Sequence, residues 1–244
     1  MYGYGYGMGY GYGYGYGFSW TYLLVIIGLV ISLAASAKVR STYSRYAKVK
    51  SKSGITAAQA AQTILQGAGI YDVRIEHIAG NLTDNYNPTD KVLRLSDSTY
   101  NSTSVAAIGV AAHECGHAIQ HDTNYAPLNI RGSLVPVVNF GSSLSIPLIL
   151  VGVLLGYNQM VITIGIALFS LSVLFQLITL PVEFDASSRA IRILDSSGML
   201  DSEEVGEAKK VLSAAAMTYV AAAAASALQL LRLVLIFGGR GRRN

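Results

Sequence analysis

A stretch of 51 residues between Arg131 and Glu183 contains no aspartate, glutamate, lysine, arginine or histidine, and few folds can accommodate so long an uncharged segment. A helix that crosses the hydrocarbon core of a bilayer needs about 20 apolar residues, so the stretch is long enough for two such helices. Gly156-Tyr157-Asn158-Gln159 supplies a polar break near its middle. We therefore predict transmembrane helices over residues 134–155 and 160–180.

The amino-terminal part of the chain predicts another span. Residues 18–37 carry no charge, and Trp20 and Tyr22 lie where an aromatic belt would meet the membrane surface. Residues 1–17 alternate tyrosine and glycine almost without interruption, which is typical of disordered low-complexity sequence. Only 13% of all residues are charged, well below the quarter that is usual in soluble domains, which agrees with an integral membrane protein.

Six basic residues and no acidic residue follow this first span directly: Lys38, Arg40, Arg45, Lys48, Lys50 and Lys52. Such a cluster can indicate nucleic-acid binding. Its position next to an apolar span favours a juxtamembrane role instead, and we expect no nucleic-acid partner. Basic juxtamembrane segments stay in the cytoplasm. Because two spans separate them, the polar segments 38–131 and 182–213 would both face the cytoplasm, at what we expect to be the plasma membrane.

The last apolar segment, residues 214–237, leaves the number of spans open at three or four. Gln229 and Arg232 interrupt it. It could cross the membrane with Arg232 snorkelling or facing the protein interior, or it could lie in the interface. Three arginines near the chain end would favour the positive side of the membrane and so argue against a full fourth crossing: Arg240, Arg242 and Arg243.

The polar segment 38–131 shows helix and strand patterns. Helices are predicted over residues 55–69 and 103–121, and strands over residues 72–78 and 91–96. The strand Lys91–Ser96 could be a sheet edge that pairs with an extended peptide substrate, or ordinary sheet structure. We therefore predict a mainly α-helical integral membrane protein, with three or four transmembrane helices and a small cytoplasmic α+β domain formed by both polar segments.

The second predicted helix carries the motif His113-Glu114-Cys115-Gly116-His117, which fits the HExxH pattern. Histidines four residues apart project from one face of a helix, so both imidazoles can reach one metal ion. Zinc lowers the pKa of a bound water to about 7, and Glu114 could take up the proton of that water. The motif therefore predicts a zinc hydrolase with Glu114 as the general base.

Catalytic zinc needs a third protein ligand and an open position for water. His121 continues the histidine stripe, but its backbone would lie about 12 Å along the helix from His113, so we expect it in the outer part of the site or on the surface. Cys115, the only cysteine of the chain, excludes a disulfide framework. It would point about 200° away from His113 and is better explained as a small buried thiol.

Glu183 is the better candidate for the third ligand. It is the first charged residue after the uncharged stretch and would lie on the same side of the membrane as His113. An acidic residue two positions after Pro181 could equally serve the start of a helix, where it favours the helix dipole. Asp185 is a second candidate, either as a ligand or as an acceptor for a histidine N–H group.

These residues resemble a known family. The block His113-Glu114-Cys115-Gly116-His117-Ala118, together with Leu180-Pro181-Val182-Glu183-Phe184-Asp185-Ala186, is similar to the YugP-like neutral zinc metallopeptidases of membranes. Residues 91–96 and 216–233 supply two further matching blocks, and the resemblance covers about residues 19–237.

The resemblance implies zinc held by His113, His117 and Glu183, with Glu114 catalytic and a zincin-like protease fold. More distantly, the chain resembles heat-shock and prenyl-protein membrane proteases. Those proteins often have an aspartate four residues after the downstream glutamate, whereas this chain has Ser187 there.

We therefore expect peptide-bond hydrolysis of peptides or membrane proteins near the cytoplasmic face of the bilayer, with Zn²⁺ as cofactor. The alternative is a non-catalytic membrane scaffold or assembly factor with a structural or vestigial zinc. A metal sensor or transporter is disfavoured, because the two central spans carry no charged residue that could line an ion path. The sequence does not fix the oligomeric state.

Overall fold

The structure is a computed structural model that describes residues 19–238. The predicted tyrosine–glycine tail and the three terminal arginines lie outside this range. Within it the chain forms six helices and three short strands: α1 (Tyr22–Tyr46), α2 (Ala57–Gly67), β1 (Arg74–Ile78), β2 (Asn85–Asn87), β3 (Val92–Ser96), α3 (Val105–Asp122), α4 (Ala126–Leu154), α5 (Gln159–Ser197) and α6 (Ser202–Phe237). The prediction of a mainly helical protein is thus confirmed, and its strands form a small mixed sheet.

Four of the helices, α1, α4, α5 and α6, are long and apolar enough to cross a membrane. Large apolar side chains are exposed along all four, as a lipid-facing surface requires, including Leu33, Phe140, Leu177 and Leu235. The uncharged stretch forms most of the antiparallel hairpin α4–α5, with its turn at the predicted polar break.

Helix α6 runs antiparallel to α1 along the whole length of α1. Arg232 stacks on the ring of Tyr22 at 4.5 Å, and Lys210 Nζ lies 5.8 Å from the ring of Tyr46. This favours a fourth span over an interfacial helix. Phe237 lies beside the start of α5 and receives a hydrogen bond from Gln159 Nε2 at 3.0 Å. The helix therefore ends at the opposite end of the bundle from the basic segment 38–52, contrary to the expectation from the terminal arginines.

Helix α5 does not stop at Pro181. Proline leaves the carbonyl four residues earlier without its usual donor, which disfavours a continuous helix. The helix instead continues to Ser197 and ends in a left-handed turn at Gly198, with φ of +68°. Glu183 is therefore inside a helix, and its alternative role at a helix start is wrong. The continuation is held by α3, where Gln120 Nε2 donates to the carbonyl of Val182 at 2.8 Å.

The sheet has the order β1-β3-β2, with β1 parallel and β2 antiparallel to β3. Leu93 of β3 is opposite Ile75 on one side and Tyr86 on the other. The suggestion that residues 91–96 form an edge is wrong, because β3 is hydrogen-bonded on both sides and four of its five residues are buried. A free edge remains on β2, which lies next to α3.

Helix α3 is the centre of the polar part and packs on α2, α5 and α6. Ser104 caps its start by accepting from the amide of Ala107 at 3.2 Å. Small residues let neighbouring helices approach closely on several faces: Ala107, Ala111, Ala112 and Ala118 are at most 1% exposed. A Cβ added at Gly109 would lie 3.3 Å from the Cβ of Ala208 on α6.

Glycine also permits the close packing of the hairpin α4–α5, which yields a testable prediction. A Cβ at Gly165 would lie 2.6 Å from Ile149 Cγ1 and 2.8 Å from the carbonyl oxygen of Ser145. Replacing Gly165 with Ala should therefore destabilise the protein by about 1–3 kcal/mol, as overpacking does. Thermal unfolding in detergent measures this effect.

The matched control is Gly206→Ala in α6, where an added Cβ meets nothing within 4 Å. That substitution should leave the unfolding temperature unchanged or raise it, since alanine favours a helix over glycine by about 0.5–1 kcal/mol. Equal unfolding temperatures for the two variants would contradict the packing described for α4 and α5.

Candidate metal centre

His113 and His117 lie one turn apart on α3 and point to the same place. Their rings are 4.7 Å apart in an edge-on arrangement. His113 Nε2 lies 3.3 Å and His117 Nε2 lies 3.5 Å from one oxygen, Oε2 of Glu183 on α5. The three groups together form a cluster whose ligand atoms all lie within 4.8 Å of one another. The structure therefore brings together the two histidines and the glutamate that the sequence proposed as metal ligands.

The crossing of α3 and α5 explains how Glu183 reaches the histidines. A Cβ at Gly116 would lie only 2.6 Å from the carbonyl oxygen of Ala186, so the backbones touch at this point. Gly116 follows the motif glutamate by two positions, and Ala186 follows Glu183 by three. Any side chain at Gly116 would push apart the two helices that carry the cluster.

Glu183 is almost fully buried, with 2% exposure. Its Oε1 accepts a hydrogen bond from Arg131 Nη1 at 3.0 Å. Its Oε2 has no hydrogen-bond partner among the described residues, although it is buried. A buried carboxylate oxygen without a partner destabilises the folded state unless a cation binds it.

The hydrogen bonds of Gln120 fix the protonation of the His117 ring. The amide nitrogen of Gln120 donates to the Val182 carbonyl and to Asp185 Oδ2, both at 2.8 Å, so its Oε1 faces His117 Nδ1 at 3.0 Å. Nδ1 must then carry the proton and donate to this oxygen. In the neutral imidazole, Nε2 consequently presents a lone pair to the cluster.

His113 has the same arrangement with a different partner. Its Nδ1 lies 3.1 Å from Ser187 Oγ, which can accept the Nδ1 proton. Ser187 stands four residues after Glu183, one turn further along α5. Three acceptor atoms, two imidazole nitrogens and one carboxylate oxygen, therefore face each other in a buried space. This donor set fits a divalent cation such as zinc, which binds histidine nitrogen and carboxylate oxygen.

A proton competes with a metal for these atoms. Burial lowers the pKa of His117, but the negative charges of Glu183 and Glu114 beside it outweigh that effect and raise the pKa overall. A metal and a proton cannot occupy Nε2 together, so acid should weaken metal binding.

The remaining predicted residues occupy different places. Asp185 contacts neither histidine; it accepts from Gln120 and from Arg189 Nε at 2.6 Å, and so acts on His117 through Gln120. His121 lies outside the ligand cluster and pairs through Nδ1 with the hydroxyl of Tyr86 at 2.9 Å.

Cys115 is fully buried among apolar side chains, and its Sγ lies 3.6 Å from the Ala61 carbonyl oxygen. Burial raises the pKa of this thiol. It is therefore the inert buried thiol that the sequence favoured over a ligand.

Two cavities meet at the cluster. One, of about 720 Å³, opens toward β2 and the start of α4, and its wall includes Tyr86, His121 and Asn129. The other, of about 250 Å³, lies between α1, α3 and α6 and is mostly apolar, with Val39 and Leu212 in its wall. The two cavities share five lining residues: Asp84, His113, Glu114, Glu183 and Tyr219.

Sequence reasoning missed three residues of this region: Gln120, Arg131 and Tyr219. A signal existed for Arg131, because it is the last charge before the uncharged stretch and Glu183 is the first after it. The two antiparallel helices of a hairpin bring the residues at its open end close together, so these two charges are expected to lie near each other. Gln120 stands three residues after His117, on the same helix face. Nothing in the local sequence pointed to Tyr219.

Comparison with known proteins agrees with this geometry. The chain matches the family described as "Putative neutral zinc metallopeptidase" over residues 21–238. It is 51% identical over 209 residues to the "Putative membrane protease YugP" of Bacillus subtilis (strain 168). The aligned residues make up 86% of this chain and 92% of that relative. No solved structure shows a significant match. The chain therefore belongs to this family of zinc metallopeptidases.

Proposed function

We propose that the protein is a membrane-embedded zinc metalloendopeptidase of the gluzincin type, with zinc held by His113, His117 and Glu183 and with Glu114 as general base. The observation that carries this proposal is the convergence of two imidazole nitrogens and one buried, unpartnered carboxylate oxygen on one point beside Glu114. A structural zinc site is usually closed by four protein ligands, whereas catalytic sites keep one position open. The three-residue cluster therefore supports catalysis over a scaffold with a structural zinc.

Zinc in such a site lowers the pKa of a bound water to about 7 and polarises a carbonyl oxygen. Glu114 is 8% exposed and lies in the wall of both cavities, and its carboxylate makes no hydrogen bond with another described residue. It is therefore available to accept a proton from water as the water oxygen adds to the peptide carbonyl. The same proton can then pass to the leaving amine as the C–N bond breaks.

Two further side chains have roles in this proposal. Arg131 holds Oε1 of Glu183, which leaves Oε2 directed at the imidazoles. Tyr219 lines both cavities, and its hydroxyl can donate to the carbonyl oxygen as negative charge develops there. Neither Arg131 nor Tyr219 is a zinc ligand in this proposal.

The free edge of β2 supports an extended peptide as substrate. Asn85 and Tyr86 of this strand line the larger cavity, and an edge strand can bind a peptide through its unpaired backbone groups. The smaller, apolar cavity between α1, α3 and α6 could then take an apolar side chain next to the cleaved bond. Since Val39 and Gly132 in these walls belong to candidate spans, peptides or membrane proteins near the bilayer surface are the expected substrates.

The charge distribution supports an active site on the cytoplasmic side of the plasma membrane. Six basic residues lie in the segment 38–52, at the end of the bundle that carries the cluster. Helix α6 ends with Phe237 at the opposite end of the bundle. Three arginines follow Phe237 in the sequence. The end of the bundle with more basic residues is expected in the cytoplasm, and that end carries the histidine–glutamate cluster. In this proposal residues 38–131 and 182–213 together form a zincin-like cytoplasmic protease domain.

The direct test of the proposed reaction is Glu114→Gln. Cleavage of fluorescently labelled casein by the purified full-length protein in detergent should fall by about 10²–10⁴-fold, the usual contribution of a general base. Zinc content, measured by elemental analysis, should stay unchanged because Glu114 is not a ligand.

Glu203→Gln is the matched control, since this exposed glutamate lies on the first turn of α6. It should cleave casein like the wild type. Full activity in Glu114→Gln, or no cleavage by the wild type, would favour the scaffold alternative.

Glu183→Gln tests the ligand set. Loss of the third ligand should weaken zinc binding by more than about 100-fold, beyond the effect of losing an outer hydrogen-bond partner. Competition with a chelator of known affinity gives the dissociation constant. The control is Asp195→Asn, which removes an exposed carboxylate from the same helix. Equal zinc affinities in the two variants would remove Glu183 from the site.

A further inference from the structure

A groove of about 840 Å³ runs between α1 and α6 and shares no lining residue with the two cavities at the metal centre. Its wall contains four exposed cationic side chains: Lys38 and Arg45 from α1, and Lys209 and Lys210 from α6. No aspartate or glutamate lines it. The two helices therefore combine their positive charges around one concave surface.

These cations are available to an anion. Among residues 19–238, none of the four lies within 4.0 Å of a carboxylate oxygen. Arg45 and Lys210 contact the ring of Tyr46, at 5.5 and 5.8 Å to its centre. An exposed cation–π contact contributes only about 0.5–1 kcal/mol and leaves the N–H groups free to donate.

The groove is polar at one end and apolar at the other. Arg45 and Lys210 lie at the end near the metal-binding part of the protein, and Lys38 lies about 10 Å further along α1 at 1.5 Å per residue. Beyond this level both helices become apolar: α1 carries no charge before Lys38, and α6 carries none from Val211 to Leu231. Met217, which is 52% exposed, lines the apolar end.

A cationic end followed by an apolar end matches a phospholipid rather than a soluble anion. A headgroup phosphate would contact the cations, with the hydroxyl of Ser213 as a further donor. The acyl chain would continue past Met217 along the apolar surfaces of the two helices. A soluble anion would use only the polar end.

We infer that the groove between α1 and α6 is a binding site for an anionic phospholipid, with Lys38, Arg45, Lys209 and Lys210 around its headgroup phosphate. The inference depends on the membrane location of the helices and is independent of catalysis. Each basic side chain near an anionic surface adds to the binding, so removing several should have a large effect.

The test compares two triple variants of the full-length protein that lose the same charge. One is Lys38→Gln, Arg45→Gln, Lys210→Gln, within the groove. The control is Arg40→Gln, Lys48→Gln, Lys50→Gln, which takes exposed basic residues from the same segment but outside the groove.

Both variants are reconstituted into mixed phosphatidylglycerol and phosphatidylcholine bilayers. Native mass spectrometry then gives the ratio of the two lipids that stay bound after extraction. The groove variant should lose its enrichment of phosphatidylglycerol by about tenfold or more, and the control should stay within about twofold of the wild type.

Equal losses in both variants would show general attraction to an anionic surface and overturn the site. No loss in either would overturn it as well. Displacement of phosphatidylglycerol by inorganic phosphate would indicate an anion site that does not recognise lipid.

Circular dichroism and zinc content show whether the variants keep their fold. Lys209→Gln with Lys210→Gln is a milder second variant at two exposed positions of α6. It should show a smaller loss in the same direction, and unchanged enrichment in this variant would contradict the inference even if the triple variant fails to fold.

Discussion

The contact between the backbones of α3 and α5 at Gly116 and Ala186 is the constraint on which the rest of the site depends. One helix carries both histidines, and the other carries Glu183 together with Asp185. Because Gly116 has no side chain, the helices approach closely enough for three acceptor atoms to meet. The glycine of the HExxH motif therefore matters as much as its polar residues, because it permits Glu183 to approach the two histidines.

A buried carboxylate must be served by positive charge or by hydrogen-bond donors, and the fold meets this need from two sides. The hairpin α4–α5 leaves the polar part at Arg131 and returns to it at Glu183, where the two residues form a hydrogen-bonded ion pair at 3.0 Å. The other carboxylate oxygen is left for the imidazoles and for a metal. The apolar hairpin and the metal centre are thus coupled through one side chain.

Much of this architecture could be predicted from the sequence, because its signals are local. The absence of charge located α4 and α5, and two histidines one turn apart located the face of α3 that meets Glu183. The alternative that placed Glu183 at a helix start after Pro181 was wrong because tertiary packing outweighs the local preference of proline. The edge position of residues 91–96 was wrong because periodicity identifies a strand and not its neighbours. Tyr219 depends on the packing of α6 against the site, which no local pattern encodes.

The most direct test of the account is the coordination of zinc, measured by X-ray absorption at the zinc edge on the full-length protein. The account requires nitrogen and oxygen ligands at about 2.0–2.2 Å, with scattering from two imidazoles and no sulfur. It would be contradicted by a sulfur shell at about 2.3 Å, which only Cys115 or a methionine could supply, or by a number of imidazoles other than two.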